Sequence, residues 1–302
     1  MALRIGLIGC GRWGANILRD LLSLNCRVTV ADPDPVASAK ATQAGAKAVA
    51  SLQDLPDNLD GFVVAVPTSL HFEVVSQLLG YNRPIFCEKP LTADLEQARI
   101  LAAKAPEQIF VMDKWRYHPG VEALRQIVAQ ATLGQVQLIR TRRVQWGHPH
   151  RDVDGVWILA PHDLSIVAHI LGAIPPPRAA FGEFVGEQLQ GITAFLGTTP
   201  GAVIEVSARQ PVANRLVSVA CETGVAVLDE SLADHIKLYR NGLPKHHAPE
   251  ILPISTEMPL WLELRQFCQF LQGGAPPLTT AADAVHSIEV ITILRQLARE
   301  AR

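Results

Sequence analysis

The sequence predicts an α/β domain with a doubly wound parallel sheet, followed by an α+β domain built on a large, mostly antiparallel open sheet. Three observations predict it. A glycine-rich turn follows the first apolar run directly; short apolar runs then alternate with helical patterns up to residue 112; and after about residue 119 strand follows strand with few helices between them. At 302 residues the chain exceeds one ordinary hydrophobic core, so two domains are expected, 1–118 and 119–302, the closing helices being candidates to pack back on the first.

In the first domain, Leu3 to Ile8 reads as a buried strand and Gly14 to Leu24 as the helix that follows it. Arg27 to Ala31 and Pro35 to Ala44 repeat the pair. Phe62 to Val66, Pro84 to Cys87 and Ile109 to Met112 continue the strands, with helical spacing over Leu70 to Leu79 and Leu95 to Ala105. In the second, Val121 to Gln130 reads as helix, Gln135 to Gln145 as strand, and Asp163 to Leu171 as a short helix stopped by Gly172. Repeated strands from Arg178 to Tyr239 are parted by turn signals at Thr199-Pro200-Gly201, Pro211 to Asn214, Glu222-Thr223-Gly224 and Asn241-Gly242. Leu260, Leu264, Phe267 and Leu271 share one helical face, and Thr280 with Asp283 reads as the cap of the last helix.

Composition excludes several classes. The net charge of −2 carries no long run of one sign, so neither nucleic acid nor a membrane surface is an expected partner. The densest basic stretch, Arg140, Arg142 and Arg143, reads as a solvated strand face. No apolar segment approaches the roughly 20 residues that span a bilayer, and the first residues lack the pattern of a signal peptide, so a cytoplasmic location is expected. Five scattered cysteines without C-x-x-C spacing read as reduced, buried thiols. No two histidines stand at zinc-ligand spacing, so no metal is expected.

Gly9-Cys10-Gly11-Arg12-Trp13-Gly14 matches G-x-G-x-x-G between a strand and a helix, the fingerprint of a Rossmann domain. Its glycines permit a tight turn and close backbone approach to a pyrophosphate, which the helix N-terminus attracts. Asp32 closes the second strand about 20 residues on, where an acid accepts from the adenosine ribose hydroxyls. It favours NAD over NADP, since a carboxylate repels a 2′-phosphate; Arg12 leaves NADP open.

Further segments carry a resemblance. Val66-Pro67-Thr68-Ser69-Leu70-His71, Cys87-Glu88-Lys89-Pro90-Leu91, Trp115-Arg116-Tyr117-His118-Pro119, Leu133-Gly134-Gln135-Val136 and Pro259 to Phe267 follow one another as in the glucose–fructose oxidoreductase and inositol dehydrogenase (Gfo/Idh/MocA) family, which the chain resembles over nearly its full length. The resemblance implies a pyridine-nucleotide oxidoreductase acting on a hydroxyl or carbonyl of a sugar, cyclitol, nucleotide sugar or similar small molecule. It implies Pro67, Thr68, His71, Glu88 and Lys89 beside the dinucleotide, and a homodimer or homotetramer joined through the open sheet.

Lys89 stands at a strand's carboxyl end, where the reacting part of a dinucleotide lies in such sheets. An ammonium there polarises a substrate oxygen. The resemblance makes His162, in Pro161-His162-Asp163, the carrier of the hydroxyl proton, a role that suits imidazole; Asp163 is the candidate to orient it. One position departs from the pattern. Many catalytic members carry an aspartate four residues before this histidine, and here Ile158 occupies it, with Asp152 and Asp154 nearby as candidate substitutes. Ile158 is the feature behind the alternative reading, a nucleotide-binding regulatory or scaffold protein with impaired turnover. Tyr117, His148, His150, His246 and His247 read as minor candidates or loop residues, and Lys114 as structural.

Overall fold

The computed structural model describes residues 2–148, 152–242 and 247–302. In chain order its elements are β1 (Arg4–Ile8), α1 (Gly14–Ser23), β2 (Arg27–Ala31), α2 (Pro35–Gln43), β3 (Lys47–Val49), β4 (Gly61–Val64), α3 (His71–Leu78), β5 (Ile85–Glu88), α4 (Leu95–Lys104) and β6 (Ile109–Met112). There follow α5 (Pro119–Ala129), β7 (Val136–Trp146), α6 (Gly155–Leu171), β8 (Pro177–Val185), β9 (Gln188–Gly197), β10 (Gly201–Ser207), β11 (Arg209–Cys221), β12 (Gly224–Leu228), β13 (His235–Arg240), β14 (Glu250–Pro253), α7 (Pro259–Leu271) and α8 (Ala281–Glu300). They form two compact units, one of the residues up to Lys114 with Met258–Ile288, the other of Trp115–Glu257 with Glu289–Arg302. The first unit thus ends four residues before the sequence boundary and takes in α7 and the beginning of α8.

The first unit is a six-stranded parallel sheet in the order β3-β2-β1-β4-β5-β6. This is the doubly wound order whose reversal, between β1 and β4, opens a crevice at the strands' carboxyl ends. Its strands are apolar because helices cover them; Ile5, Leu7, Val30, Val63 and Phe86 have no exposed surface. Caps set the helix starts. Asp34 accepts from Val36 N–H at 2.9 Å and Asp94 from Gln97 N–H at 2.8 Å. α7 joins this core, with Phe267 stacked on Phe86 at a centroid distance of 4.9 Å. The segment before α8 lies along the β6 edge, Val111 N–H donating to Thr279, and Thr280 and Asp283 cap each other reciprocally as their spacing predicts.

The second unit holds an eight-stranded sheet in the order β14-β13-β12-β11-β7-β10-β9-β8, antiparallel except where β10 runs parallel to β7. α6 packs on β9 and β10, and α5 on α6 and β12. Two expectations change here. Residues 211–214 are no turn between strands but lie inside β11, where the pairing with β7 shifts register between Arg209 and Asn214; a bulge uses the same residue types as a turn. α6 starts at Gly155, not near Asp163. Asp154 caps it, and Pro161 sits in its interior without ending it. The short edge strands β3 and β14 carry too few apolar residues for periodicity to show them.

Candidate functional site

The first unit builds the nucleotide end of the site around Asp32. Its Oδ2 accepts from Cys10 N–H at 2.6 Å and its Oδ1 from Asp34 N–H at 2.9 Å, so the acid after β2 is bound to the glycine loop after β1. Gly9 has φ +86°, and a Cβ there would meet the Ala65 backbone at 2.9 Å. A Cβ at Gly14 would lie 2.3 Å from the Gly9 carbonyl oxygen, whereas one at Gly11 would point into open space. Two of the three glycines therefore serve packing of the loop, and Gly11 leaves room for a ligand. No side chain caps the N-terminus of α1, where the N–H groups of Ala15 and Asn16 donate to the carbonyls of Gly11 and Trp13 at 2.9 Å. Asp32, the open side of Gly11 and the positive end of the α1 dipole fit a dinucleotide. Arg12 is exposed beside it, and the Cys10 thiol is buried and pushed up by burial and by Asp32.

At the ends of β4 and β5 the resemblance-based candidates separate. Thr68 is buried and Pro67 exposed in the turn after β4. His71 is 1% exposed, and its ring nitrogens contact two carbonyl oxygens, Nδ1 that of Pro90 at 2.8 Å and Nε2 that of Val66 at 3.0 Å. Both ring nitrogens face carbonyl oxygens of the protein, one in the loop after β4 and one in the loop after β5, and a neutral ring donates to one of the two. Burial draws its pKa down from the ordinary value, against the pull of those carbonyls and of Glu88. Glu88 accepts from the Trp13 indole N–H and from its neighbour Lys89 N–H at 3.1 Å. Lys114 Nζ lies 4.4 Å from the Trp13 ring centroid, so the E-K-P segment and a lysine after β6 both fix the glycine loop's tryptophan. Lys89 is half-buried at the carboxyl end of β5. Sequence reasoning missed Glu263 on α7. It is 1% exposed, and burial pushes its carboxyl well up, helped by the charges of Glu88 and Asp113.

The second unit gathers His162, Asp163, Trp115 and Arg143. His162 lies in the interior of α6, one turn after the buried Ile158. Its ring stands edge-on to Trp115 at 6.5 Å, and Trp115 stacks on His118 at 4.9 Å. Asp163 Oδ2 accepts from Arg143 Nε at 2.5 Å with both side chains buried, and the guanidinium lies 4.3 Å over the Trp115 ring. Burial holds the Asp163 carboxyl above its ordinary value, with Arg143 pulling the other way. Asp163 is thus half of an internal ion pair with Arg143.

The basic stretch on β7 is corrected by the same pair. Arg142 faces outward and pairs with Glu205 at 3.1 Å, but Arg143 points to the other face. The signal was present, since Arg142 and Arg143 are adjacent and a strand sends neighbours to opposite faces. Asp154 is also committed: it caps α6 and forms an ion pair with Arg295 at 2.8 Å, so it does not stand in for the acid missing at Ile158. Among the lesser candidates, His148 contacts Gln190 at 3.2 Å, Tyr117 is half-buried and His247 exposed, while His150 and His246 lie outside the described residues. Among the described residues no group of three or more His, Cys, Asp or Glu side chains is arranged to hold a metal, and no helix is long and apolar enough to cross a membrane.

Residues 3–112 match the model of the Gfo/Idh/MocA family, described as an oxidoreductase family with an NAD-binding Rossmann fold. A UDP-N-acetylglucosamine 3-dehydrogenase of Acidithiobacillus ferrooxidans is 27% identical over 216 residues, 70% of this chain and 68% of that protein. An inositol 2-dehydrogenase of Paenarthrobacter aurescens is 29% identical over 188 residues, 57% of each chain. The alignment with an uncharacterized oxidoreductase of Streptococcus pneumoniae spans 51% of that protein, so such matches cover about half to two-thirds of these relatives. In fold the likeness extends over nearly the whole chain: the Acidithiobacillus enzyme superimposes with a TM-score of 0.86 at 20% identity over 99% of both chains. An oxidoreductase of Agrobacterium radiobacter, solved with NAD+, L-tartaric acid and magnesium, gives 0.85 at 16% identity over 100% of this chain and 98% of that one. The glycine loop, Asp32 and the E-K-P segment all lie within residues 3–112, the part of the chain that is similar to the Gfo/Idh/MocA oxidoreductase family.

Proposed function

We propose that the protein is an NAD-dependent dehydrogenase or reductase acting on a hydroxyl or carbonyl of a sugar, cyclitol or nucleotide sugar. The observation that carries this reading is Asp32, held against the glycine loop at the carboxyl end of β2 in a sheet of dinucleotide-binding order. NAD supplies a hydride acceptor, or as NADH a donor. Asp32 accepts from the ribose hydroxyls and disfavours a 2′-phosphate. Lys89 polarises the substrate oxygen and stabilises the charge that develops on it, and His162 carries the hydroxyl proton. Relatives named as dehydrogenases of inositol and of a nucleotide sugar support the substrate class. Ile158 is the sole feature behind the impaired-scaffold alternative, which the named relatives do not favour.

Self-association through the outer face of the large sheet is part of the proposal. Phe181, Phe195 and Tyr239 are 59%, 43% and 44% exposed on its strands, an apolar surface of the kind that interfaces use. Screening polyols, sugars and nucleotide sugars for NAD reduction at 340 nm (a wavelength of roughly that value reports NADH) tests the activity. Light scattering after gel filtration tests the oligomer.

A further inference from the structure

We propose that Cys26 and Cys268 form an oxidative modification site, a thiol pair that a peroxide converts to a disulfide between the start of β2 and helix α7. The two sulfurs lie 3.5 Å apart although 242 positions separate them in sequence. Cys26 precedes β2, where its N–H is held by the Leu21 carbonyl at 3.1 Å; Cys268 lies on the face of α7 that packs on α1. A disulfide needs a sulfur separation of about 2.05 Å, so bonding requires the sulfurs to close by about 1.5 Å, a movement within reach of side-chain rotation.

Access and reactivity support the same pair. The thiols are 6% and 8% exposed, and Cys268 lines an open groove of about 430 Å³ with Leu3, Leu24, Asn25, Arg265 and Gln269. The groove has room for a small peroxide. The contact with Cys268 draws the Cys26 thiol below its ordinary value, while the same contact and burial hold Cys268 above. Burial raises the other three, Cys10, Cys87 and Cys221, each beside a carboxylate that adds to the effect. A thiolate is the reactive form, so those three are poor targets.

The chemistry balances with hydrogen peroxide as oxidant. One thiol loses its proton and attacks a peroxide oxygen; the O–O bond breaks, and a sulfenic acid and water result. The second thiol then attacks that sulfur, its proton leaving with the sulfenic oxygen as a second water. Two thiols and one peroxide become one disulfide and two waters. The bond would tie α7 to the start of the Rossmann sheet.

The test treats the full-length protein with hydrogen peroxide, alkylates the remaining thiols and digests it without reductant for mass spectrometry. The expected result is a Cys26–Cys268 peptide pair, with Cys10, Cys87 and Cys221 still alkylated and the pair released by dithiothreitol. Thermal unfolding of the same samples should shift upward on oxidation in the wild type and not in Cys268→Ser. Alkylation of both Cys26 and Cys268 after treatment overturns the proposal, as does their oxidation to sulfinic acids without a bridge. So does pairing of either with another cysteine.

Discussion

Arg143 and Asp163 meet at 2.5 Å with 6% and 1% of their side chains exposed, and the guanidinium of the pair rests on the ring of Trp115. Each charge depends on the other because neither has water to turn to. Asp163→Ala or Arg143→Met alone should each cost about 3–5 kcal/mol in urea unfolding, while replacing both by apolar residues should cost far less. A single-residue cost below about 1 kcal/mol would mean that the pair is not buried as a unit.

The glycines of the loop should divide by what a methyl group meets. Gly14→Ala forces a carbon against the Gly9 carbonyl oxygen, 2.3 Å away, and should destabilise by about 1–3 kcal/mol as well as weaken NADH. Gly11→Ala meets open space. It should leave stability within about 0.5 kcal/mol and still weaken NADH, because the methyl group occupies the ligand's approach. Paired thermal melts and fluorescence titrations check both.

Lys89→Ala and His162→Ala should separate chemistry from nucleotide binding. Each is expected to lower turnover by about 100-fold or more while leaving NADH affinity within about twofold. Steady-state rates on the first active substrate, with NADH titrations alongside, read the difference. Parallel losses of binding and rate would place these side chains in the nucleotide site instead.

Stability should fall in acid through Glu122 on α5. Its hydrogen bond with Arg125, with those from Gln126 and His169, draws its pKa down to about 2 from 4.5, and burial draws His169 down as well. Both folded values lie below the unfolded ones, so both contributions are complete above the unfolded pKa and are lost as pH falls: that of His169 below about 6.5, that of Glu122 between about 4.5 and 2. Glu122→Gln should flatten the acid limb of a denaturation profile. An unchanged slope between pH 5 and 3 (values of roughly the window given by carboxylate titration) would contradict this assignment.

Most of the first unit was legible because its chemistry is local. A strand, a glycine turn, a helix and an acid at fixed spacing leave little choice of fold, and periodicity placed every long strand and helix within a few residues. The second unit was legible only in kind. Which face Arg143 takes, or that Pro161 lies within a helix instead of before one, depends on partners distant in sequence. Asp154 shows the limit most clearly. It reads as a spare acid near His162, yet Arg295, 141 residues on, already holds it. His71 shows the same limit in a motif: the resemblance located the loop, while the ring's two carbonyl partners come from the fold.

The central claim, an NAD site organised by Asp32, is tested most directly by titrating the purified protein with NADH and NADPH, following nicotinamide fluorescence, in the wild type and in Asp32→Ala. NADH should bind more tightly than NADPH, and the substitution should weaken NADH by about tenfold or more while narrowing that preference. Binding of neither nucleotide by the folded wild type, or NADH affinity unaffected by the loss of Asp32, would contradict it.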